Sequence, residues 1–141
     1  MNATPKTNRN QAARKFLAGI LLLAGLTILF VSGCAAADSA SQAVEGYLQA
    51  LVENDGDRMV NLSCADWEDD ARLDLDAFMG VTAHLENVAC QAGETSSDTA
   101  AITCTGQIVA SYNGEAQSFD ISGRTFQVVQ EAGAWRMCGY R

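Results

Sequence analysis

After residue 38, the spacing of the apolar positions changes once along the chain. In the first part they recur at helical spacing and form one stripe: Val44, Tyr47, Leu48, Leu51 and Val52. This pattern predicts an amphipathic helix, which a capping box of Ser39 and Gln42 would begin and the sequence "ENDGD" would end. A shorter helix is predicted over 57–64. The polar stretch 65–81 predicts a loop followed by a short helix around 76–81.

From His84 onward the period is two, which predicts strands over about 84–92, 99–112, 115–129 and 134–140. Asn113-Gly114 is typical of a type I′ hairpin turn and would pair Ile108 with Phe119. That register places Ile102, Cys104, Ile108, Phe119 and Ile121 on one face. Ser122-Gly123 then interrupts the alternation, so Phe126 and Val128 keep facing the core only if a bulge lies there.

Helices followed by an antiparallel meander indicate an α+β fold, with N-terminal helices packed on a curved four-stranded antiparallel sheet. We expect this domain to occupy residues 39–141, behind a short tether at 34–38. The small residues of the tether would hold the domain close to whatever precedes it.

The region before Cys34 has the layout of a secretory signal, predicted over 1–33. Residues 1–15 contain Lys6, Arg9, Arg14 and Lys15 without an acid, and no residue from Phe16 to Val31 is charged. A basic start, an apolar run and small residues are the three parts of such a signal. The usual Ala-x-Ala site is replaced by a cysteine.

The residues Val31-Ser32-Gly33-Cys34 resemble the lipobox of bacterial lipoproteins. The resemblance implies a diacylglyceryl group on the Cys34 thiol, cleavage before Cys34 and acylation, for example by palmitate, of the new amine. The protein would then be anchored at the extracytoplasmic face of the cell membrane or, since Ala35 permits sorting, of the outer membrane. An uncleaved spanning helix over 16–37 is the alternative, and it gives the same topology.

Loss of the signal changes the charge of the chain. Four of the nine basic residues and none of the 17 acids precede Cys34, so residues 34–141 carry five arginines and a net charge of −12. Such a surface repels nucleic acid, and we expect no nucleic-acid partner.

The remaining cysteines are even in number, which favours disulfides in an exported domain. A turn centred on Ser97 places Cys90 and Cys104 directly opposite each other on neighbouring strands, close enough for a bridge. Cys64–Cys138 would then link the helical half to the last strand. Zinc binding is disfavoured by the wide spacings and the single histidine, and we expect neither a metal nor a cofactor.

The opening helix "AVEGYLQALVENDGDRMVNL" and the closing "EAGAWRMCGY" resemble nuclear transport factor 2-like (SnoaL-like, cystatin-like superfold) domains. The resemblance covers about residues 39–141. It implies a cone-shaped fold with a pocket between the sheet and the helices, which hosts isomerases, dehydratases and many non-catalytic modules.

Catalytic candidates by this resemblance are His84, Glu86 and Asp120, because the family's enzymes place an Asp or His inside the cone. No orienting partner accompanies them in the sequence. Asp66, Glu68 and Asp70 do not form a calcium loop, because Ala71 and Ala77 stand where glycine and glutamate are required. Trp67 and Trp135 are expected in the core.

The sequence thus favours a non-catalytic module that binds a small apolar ligand or a protein partner near the membrane. A small pocket enzyme of the isomerase or lyase kind, with a carboxylate or His84 as base, is the alternative. A purely structural surface protein is a third reading.

Overall fold

The computed structural model of the protein describes residues 32–141. Its first helix, α1 (Ser32–Glu53), begins earlier than predicted, so residues 34–38 are helical and Ser39 lies within the helix instead of capping it. The predicted stripe is buried, with Ala40 and Ala43 added to it. Asn54 ends the helix in the left-handed conformation (φ 55°), where its N–H donates to the Leu51 carbonyl.

Helix α2 (Gly56–Asn61) follows at once, and the Asp55 side chain caps it by accepting the Arg58 N–H at 3.0 Å. A 3₁₀ turn (Ala65–Trp67) leads into helix α3 (Glu68–Phe78). The prediction of a loop here, with a helix around 76–81, is wrong. Three acids in the first turn of α3 favour its helix dipole, and Ala71, Leu75 and Phe78 form a short stripe that packs on the core but is interspersed with acids in the sequence. Within residues 32–141, no helix is long and apolar enough to cross a membrane.

The sheet has five antiparallel strands where four were predicted. In chain order they are β1 (Thr82–Thr95), β2 (Thr99–Tyr112), β3 (Glu115–Asp120), β4 (Thr125–Glu131) and β5 (Ala134–Tyr140). The order across the sheet is β1-β2-β4-β5, and β3 pairs with β2 beside β4. The predicted strand 115–129 is therefore divided into two strands that share one edge of β2.

The division between β3 and β4 inserts one residue. Gln107 pairs with Asp120 and Thr103 with Thr125, so three residues of β2 face four residues of the partner, as in a bulge. The predicted pairing of Ile108 with Phe119 is present, and Phe126 and Val128 face the core. Phe119 does not join them, because β3 pairs only with β2 and leaves this ring 42% exposed at the margin.

A second irregularity bends β1 against β2. The register shifts between Glu86 and Ala89, with Asn87 in the left-handed conformation (φ 53°). Gly106 lies opposite at φ 99°, and a Cβ there would come within 2.6 Å of the Glu86 and Asn87 carbonyl oxygens. Only glycine fits this close approach of two backbones.

Two disulfides link the elements in the predicted pairing. Cys90–Cys104 crosses directly between β1 and β2 with a Cα separation of 4.1 Å. Cys64–Cys138 has a Cα separation of 5.3 Å and adjoins a short parallel bridge, in which the Cys64 N–H donates to the Met137 carbonyl at 2.8 Å. This second link fastens the segment after α2 to β5.

Candidate functional site

The first two sequence candidates lie on the outside of the sheet. His84 and Glu86 are on β1, with Nε2 and Oε1 separated by 3.2 Å, and the Gln107 amide donates to the other Glu86 oxygen at 2.9 Å. These hydrogen bonds, that from Gln107 first, hold the pKa of the Glu86 carboxyl below its usual value. Neither residue lines a cavity, so the expectation of a base inside the cone is wrong for both.

The third candidate, Asp120, ends β3 and is exposed. Its carboxylate accepts the Ser122 N–H at 2.8 Å, and hydrogen bonds from Ser122 lower the pKa of the Asp120 carboxyl. Gln107 pairs with Glu86 on one side and with Asp120 on the other, so the three residues form a row across the outer face. Asp120 shapes the turn after β3 and, like the other two, is absent from the interior.

The interior holds a cavity of about 160 Å³ between α1, α3 and the sheet. Most of its wall is apolar and comes from Leu48, Leu51, Ala77, Phe78, Ile108, Ile121 and Phe126. Its polar groups are supplied by Tyr47, Asp74, Arg124 and Tyr140. The cavity is therefore an apolar space with a few polar groups in one region, which is the usual composition of a small-molecule site.

The polar groups form a connected network centred on Asp74. Tyr47 donates its hydroxyl to Asp74 Oδ2 at 2.9 Å, and Tyr140 donates to Oδ1 at 2.9 Å. The Trp67 indole N–H donates to the Tyr47 hydroxyl at 3.3 Å. Helix α1, α3 and β5 thus meet at one carboxylate, which accepts a hydrogen bond on each oxygen, and the 3₁₀ turn joins the network through Tyr47.

Both phenols are kept neutral by their surroundings. Burial raises the pKa of Tyr47 well above its ordinary value near 10, and the neighbouring Asp74 carboxylate adds to the rise. Burial, followed by the hydrogen bond to Asp74, also raises the pKa of Tyr140. Both phenols therefore keep their protons at neutral pH and donate them to Asp74.

Arg124 lies at the mouth of the cavity. Its guanidinium carbon is 4.8 Å from the centre of the Tyr140 ring, a cation–π distance, and its charge opposes the rise in the Tyr140 pKa. Arg124 and Ala77 are the exposed members of the wall. A ligand entering the cavity would pass these two side chains.

Tyr140 reaches the interior because β5 contains a bulge. Val128 pairs with Met137, but Phe126 pairs with Tyr140, and Gly139 between them has φ 128°. The extra residue lets both Met137 and Tyr140 face inward, and the Trp67 ring packs over Gly139. Trp135 is in the core as expected, whereas Trp67 is only half-buried and lies edge-on to Tyr140 at 5.6 Å.

Sequence reasoning missed Asp74 and Tyr140. Asp74 lies in a segment interpreted as polar loop, and its inward position depends on α3 being helical. Tyr140 depends on the Gly139 bulge, which breaks the alternation that would turn it outward. Among residues 37–141, whose side chains the structure describes, no three His, Cys, Asp or Glu side chains are grouped so as to hold a metal ion.

Solved structures of similar shape define the fold. A candidate dehydratase of the NTF2-like family from Streptomyces avermitilis matches 77% of this chain and 95% of its own, at 14% identity and a TM-score of 0.60. A candidate scytalone dehydratase from Novosphingobium aromaticivorans matches 71% and 77%, at 14% identity and a TM-score of 0.53. An NTF2-like protein with a cystatin-like fold from the same organism matches 95% and 87%, at 15% identity and a TM-score of 0.51.

These likenesses give the class of the domain: an α+β fold of the NTF2-like, cystatin-like type, as the sequence predicted. No protein-family model matches the chain, and no curated protein is similar to it in sequence. At such low sequence identity, the comparison shows only that these structures and this chain have the same fold.

Proposed function

We propose that this protein is an exported lipoprotein, anchored through acylated Cys34, whose domain binds a small, mainly apolar ligand that carries one hydrogen-bond donor. The observation on which this rests is the cavity that closes around Asp74, Tyr47 and Tyr140. Its size, its apolar wall and its single acceptor each restrict the ligand.

Volume restricts the ligand to about one ring. An engineered apolar cavity of roughly 150 Å³ accepts benzene, and the present cavity of about 160 Å³ is of that order. A larger molecule would have to project through the mouth beside Arg124. The ligand class is therefore a single-ring or short branched compound.

Hydrogen bonding restricts its polar group. An ionised carboxylate offers about four acceptor positions, and Tyr47 and Tyr140 use two of those on Asp74. A hydroxyl or amine on the ligand would donate to a remaining position and would replace water there. A ligand carboxylate would instead be repelled by Asp74.

The anchor is supported by the basic start, the uncharged run and the lipobox resemblance at 31–34. Two disulfides are compatible with an oxidising compartment outside the cytoplasm. Two or more acyl chains hold a protein at a membrane stably, whereas one holds it only marginally.

A second candidate function is a small pocket enzyme of the isomerase or lyase kind. One observation favours it: the Asp74 carboxylate lies between two neutral phenols in a largely apolar cavity. Asp74 would remove a proton from a carbon acid, and a phenol that gives up its hydrogen bond to Asp74 would donate instead to the oxygen on which negative charge develops. Turnover of a bound compound would separate this candidate from a binding protein.

The ligand proposal is tested with phenol and toluene, which differ by the donor. We expect phenol to bind the mature protein at least about tenfold more tightly, because a hydrogen bond to a charged acceptor contributes about 1.5–3 kcal/mol. Ile108→Phe, which fills the cavity, should abolish both affinities, and Val109→Phe on the opposite face of β2 is the matched control. Binding that survives Ile108→Phe, or failure of both probes to bind, would refute the proposal.

The anchor is tested by mass spectrometry of the protein purified from its bacterium. We expect an N-terminal Cys34 carrying acyl chains and no residue before it. An intact Met1 with an unmodified Cys34 thiol would refute the anchor and leave the cavity proposal standing.

A further inference from the structure

The polar region of the cavity contains two opposite charges. Asp74 contributes a carboxylate and Arg124 a guanidinium, and both side chains line the same space. Both also contact Tyr140, whose hydroxyl donates to Asp74 Oδ1 at 2.9 Å and whose ring centre lies 4.8 Å from the guanidinium carbon. Within the part of the chain whose side chains the structure describes, residues 37–141, Arg124 forms no ion pair with an acid. The two charges therefore share one neighbour without neutralising each other by direct contact.

The backbone directs Arg124 to the inner side of the sheet. The residue ends the turn between β3 and β4, in which its N–H donates to the Ile121 carbonyl at 3.1 Å. Phe126, two positions further along, is buried in the core. Because side chains alternate between the two faces of a strand, Arg124 leaves the chain on the same side as Phe126. The fold therefore places this cation at the edge of the cavity.

The apolar part of the wall has the size of one hydrophobic side chain. The cavity of about 160 Å³ is of the order of the roughly 150 Å³ that accommodates benzene. A phenyl or isobutyl group would fill it, whereas a charged side chain would lose its hydration against Leu48, Leu51 and Ile108. The cavity thus combines space for one apolar group with a positive and a negative charge in a single region.

We propose that the ligand of this cavity is an α-amino acid with an apolar side chain, bound through its ammonium to Asp74 and through its carboxylate to Arg124. This inference rests on the proposed function, in which the cavity binds an apolar ligand that carries a donor. An α-amino acid has its ammonium, its carboxylate and its side chain on one carbon atom. That arrangement matches two opposite charges beside an apolar space.

A ligand with a single charge would match only half of this arrangement. An amine alone would bind Asp74 and leave the Arg124 guanidinium without an anion. A carboxylate alone would bind Arg124 but would be repelled by Asp74, and an adjacent ammonium removes that repulsion. Guanidinium groups bind carboxylates through paired N–H donors, and an ammonium offers three donors to the acceptor positions that Tyr47 and Tyr140 leave free on Asp74.

The proposal is tested by calorimetric titration of the purified protein in detergent at neutral pH with phenylalanine and two analogues. Phenethylamine lacks the carboxylate of phenylalanine, and hydrocinnamate lacks its ammonium. We expect phenylalanine to bind at least about tenfold more tightly than either analogue, because each analogue loses one charged hydrogen-bonded contact. The three compounds have the same ring, so differences in affinity report on the charged groups.

Arg124→Gln isolates the contact with the carboxylate. We expect this substitution to weaken phenylalanine binding about tenfold and to leave phenethylamine binding within about twofold, since only phenylalanine uses the guanidinium. Arg136→Gln is the matched control, because Arg136 lies between buried Trp135 and Met137 on β5 and so faces the outer side of the sheet. It should leave both affinities unchanged.

The possible outcomes separate this inference from the proposed function. Phenethylamine or hydrocinnamate binding as tightly as phenylalanine would overturn the inference, as would equal losses of phenylalanine affinity in Arg124→Gln and Arg136→Gln. Binding of phenol without binding of phenylalanine would overturn the inference and leave the proposed function standing. Failure of phenol and of all three compounds to bind would refute the proposed function itself.

Discussion

Among single residues, Asp74 joins α3 to two other walls of the cavity. Its two oxygens accept from Tyr47 on α1 and Tyr140 on β5, so one carboxylate holds together elements far apart in sequence. A half-buried carboxylate loses hydration, and hydrogen bonds from two phenols compensate for that loss. The network therefore stabilises the fold whether or not a ligand is bound.

Asp74→Ala should lower the free energy of unfolding by about 3 kcal/mol, because one buried and one half-buried phenol lose their acceptor at about 1–3 kcal/mol each. Asp76→Ala, on an exposed position of the same helix, is the control and should change stability by less than about 0.5 kcal/mol. Urea unfolding followed by circular dichroism measures both. Equal effects of the two substitutions would contradict a structural role for the network.

Some of these residues could be predicted from the sequence. Others could not, and the reason is physical. Cys90 and Cys104 could be paired because a hairpin register follows from counting outward from its turn. Asp74 could not be found, since the partners that hold it are 27 and 66 residues away in the chain. A polar side chain has no periodic signature, so only tertiary contacts reveal whether it faces a cavity or solvent.

Among the elements, the bend in β1 and β2 depends on the missing side chain of Gly106. Gly106→Ala should destabilise the domain by about 3 kcal/mol or more, because its Cβ would clash with two backbone carbonyls that cannot move independently. Gly123→Ala, where no atom beyond the two neighbouring residues lies within 4 Å of the added carbon, is the matched control. It should be neutral or stabilise by up to about 1 kcal/mol. Thermal unfolding distinguishes the two, and a tolerated Gly106→Ala would contradict the described bend.

The two disulfides should contribute unequally to stability. Cys64–Cys138 closes a separation of 74 residues and Cys90–Cys104 one of 14, so the chain-entropy relation assigns them about 4.5 and 3 kcal/mol. Paired Cys→Ser variants of each bridge, unfolded in urea, test the order. A larger loss from removing Cys90–Cys104 would show that unfolded-state entropy does not dominate here.

Elements with a periodic pattern were predicted best. The stripe of α1 and the alternation of β2 predicted the helical layer and the sheet, and the interrupted alternation at Ser122-Gly123 predicted a bulge at the place where the chain divides into β3 and β4. The start of α1 was misplaced because small residues carry no stripe and fit a helix or a tether equally well. Helix α3 was missed because its stripe of Ala71, Leu75 and Phe78 is short and lies among many acids in the sequence.

At the scale of the whole molecule, the helical layer and the sheet enclose a core. Two phenols lie in it, one buried and one half-buried. A phenol whose pKa is raised by folding keeps its proton when the unfolded chain has lost it. The stabilisation is complete below the ordinary tyrosine pKa near 10 and is lost as the pH rises toward the folded value. Acidification through the neutral range does not engage these groups.

The free energy of unfolding should therefore fall above pH 10, by up to about 1.4 kcal/mol per pH unit for Tyr47. Tyr47→Phe should unfold with a shallower dependence over the same range, although its stability at pH 7 is lower. Urea titrations at several alkaline pH values, with tyrosinate absorbance as the probe, measure this dependence. A variant slope equal to that of the unmodified protein would contradict the assignment to Tyr47.

The bulge at Gly139 places Tyr140 only two positions beyond Cys138, so the bridge to Cys64 also clamps one wall of the cavity. Reduction of that disulfide would free the end of β5 and weaken the hydrogen bond from Tyr140 to Asp74. Oxidation of Cys64 and Cys138 would thus complete the binding space as well as the fold, and the reduced protein would have no finished pocket.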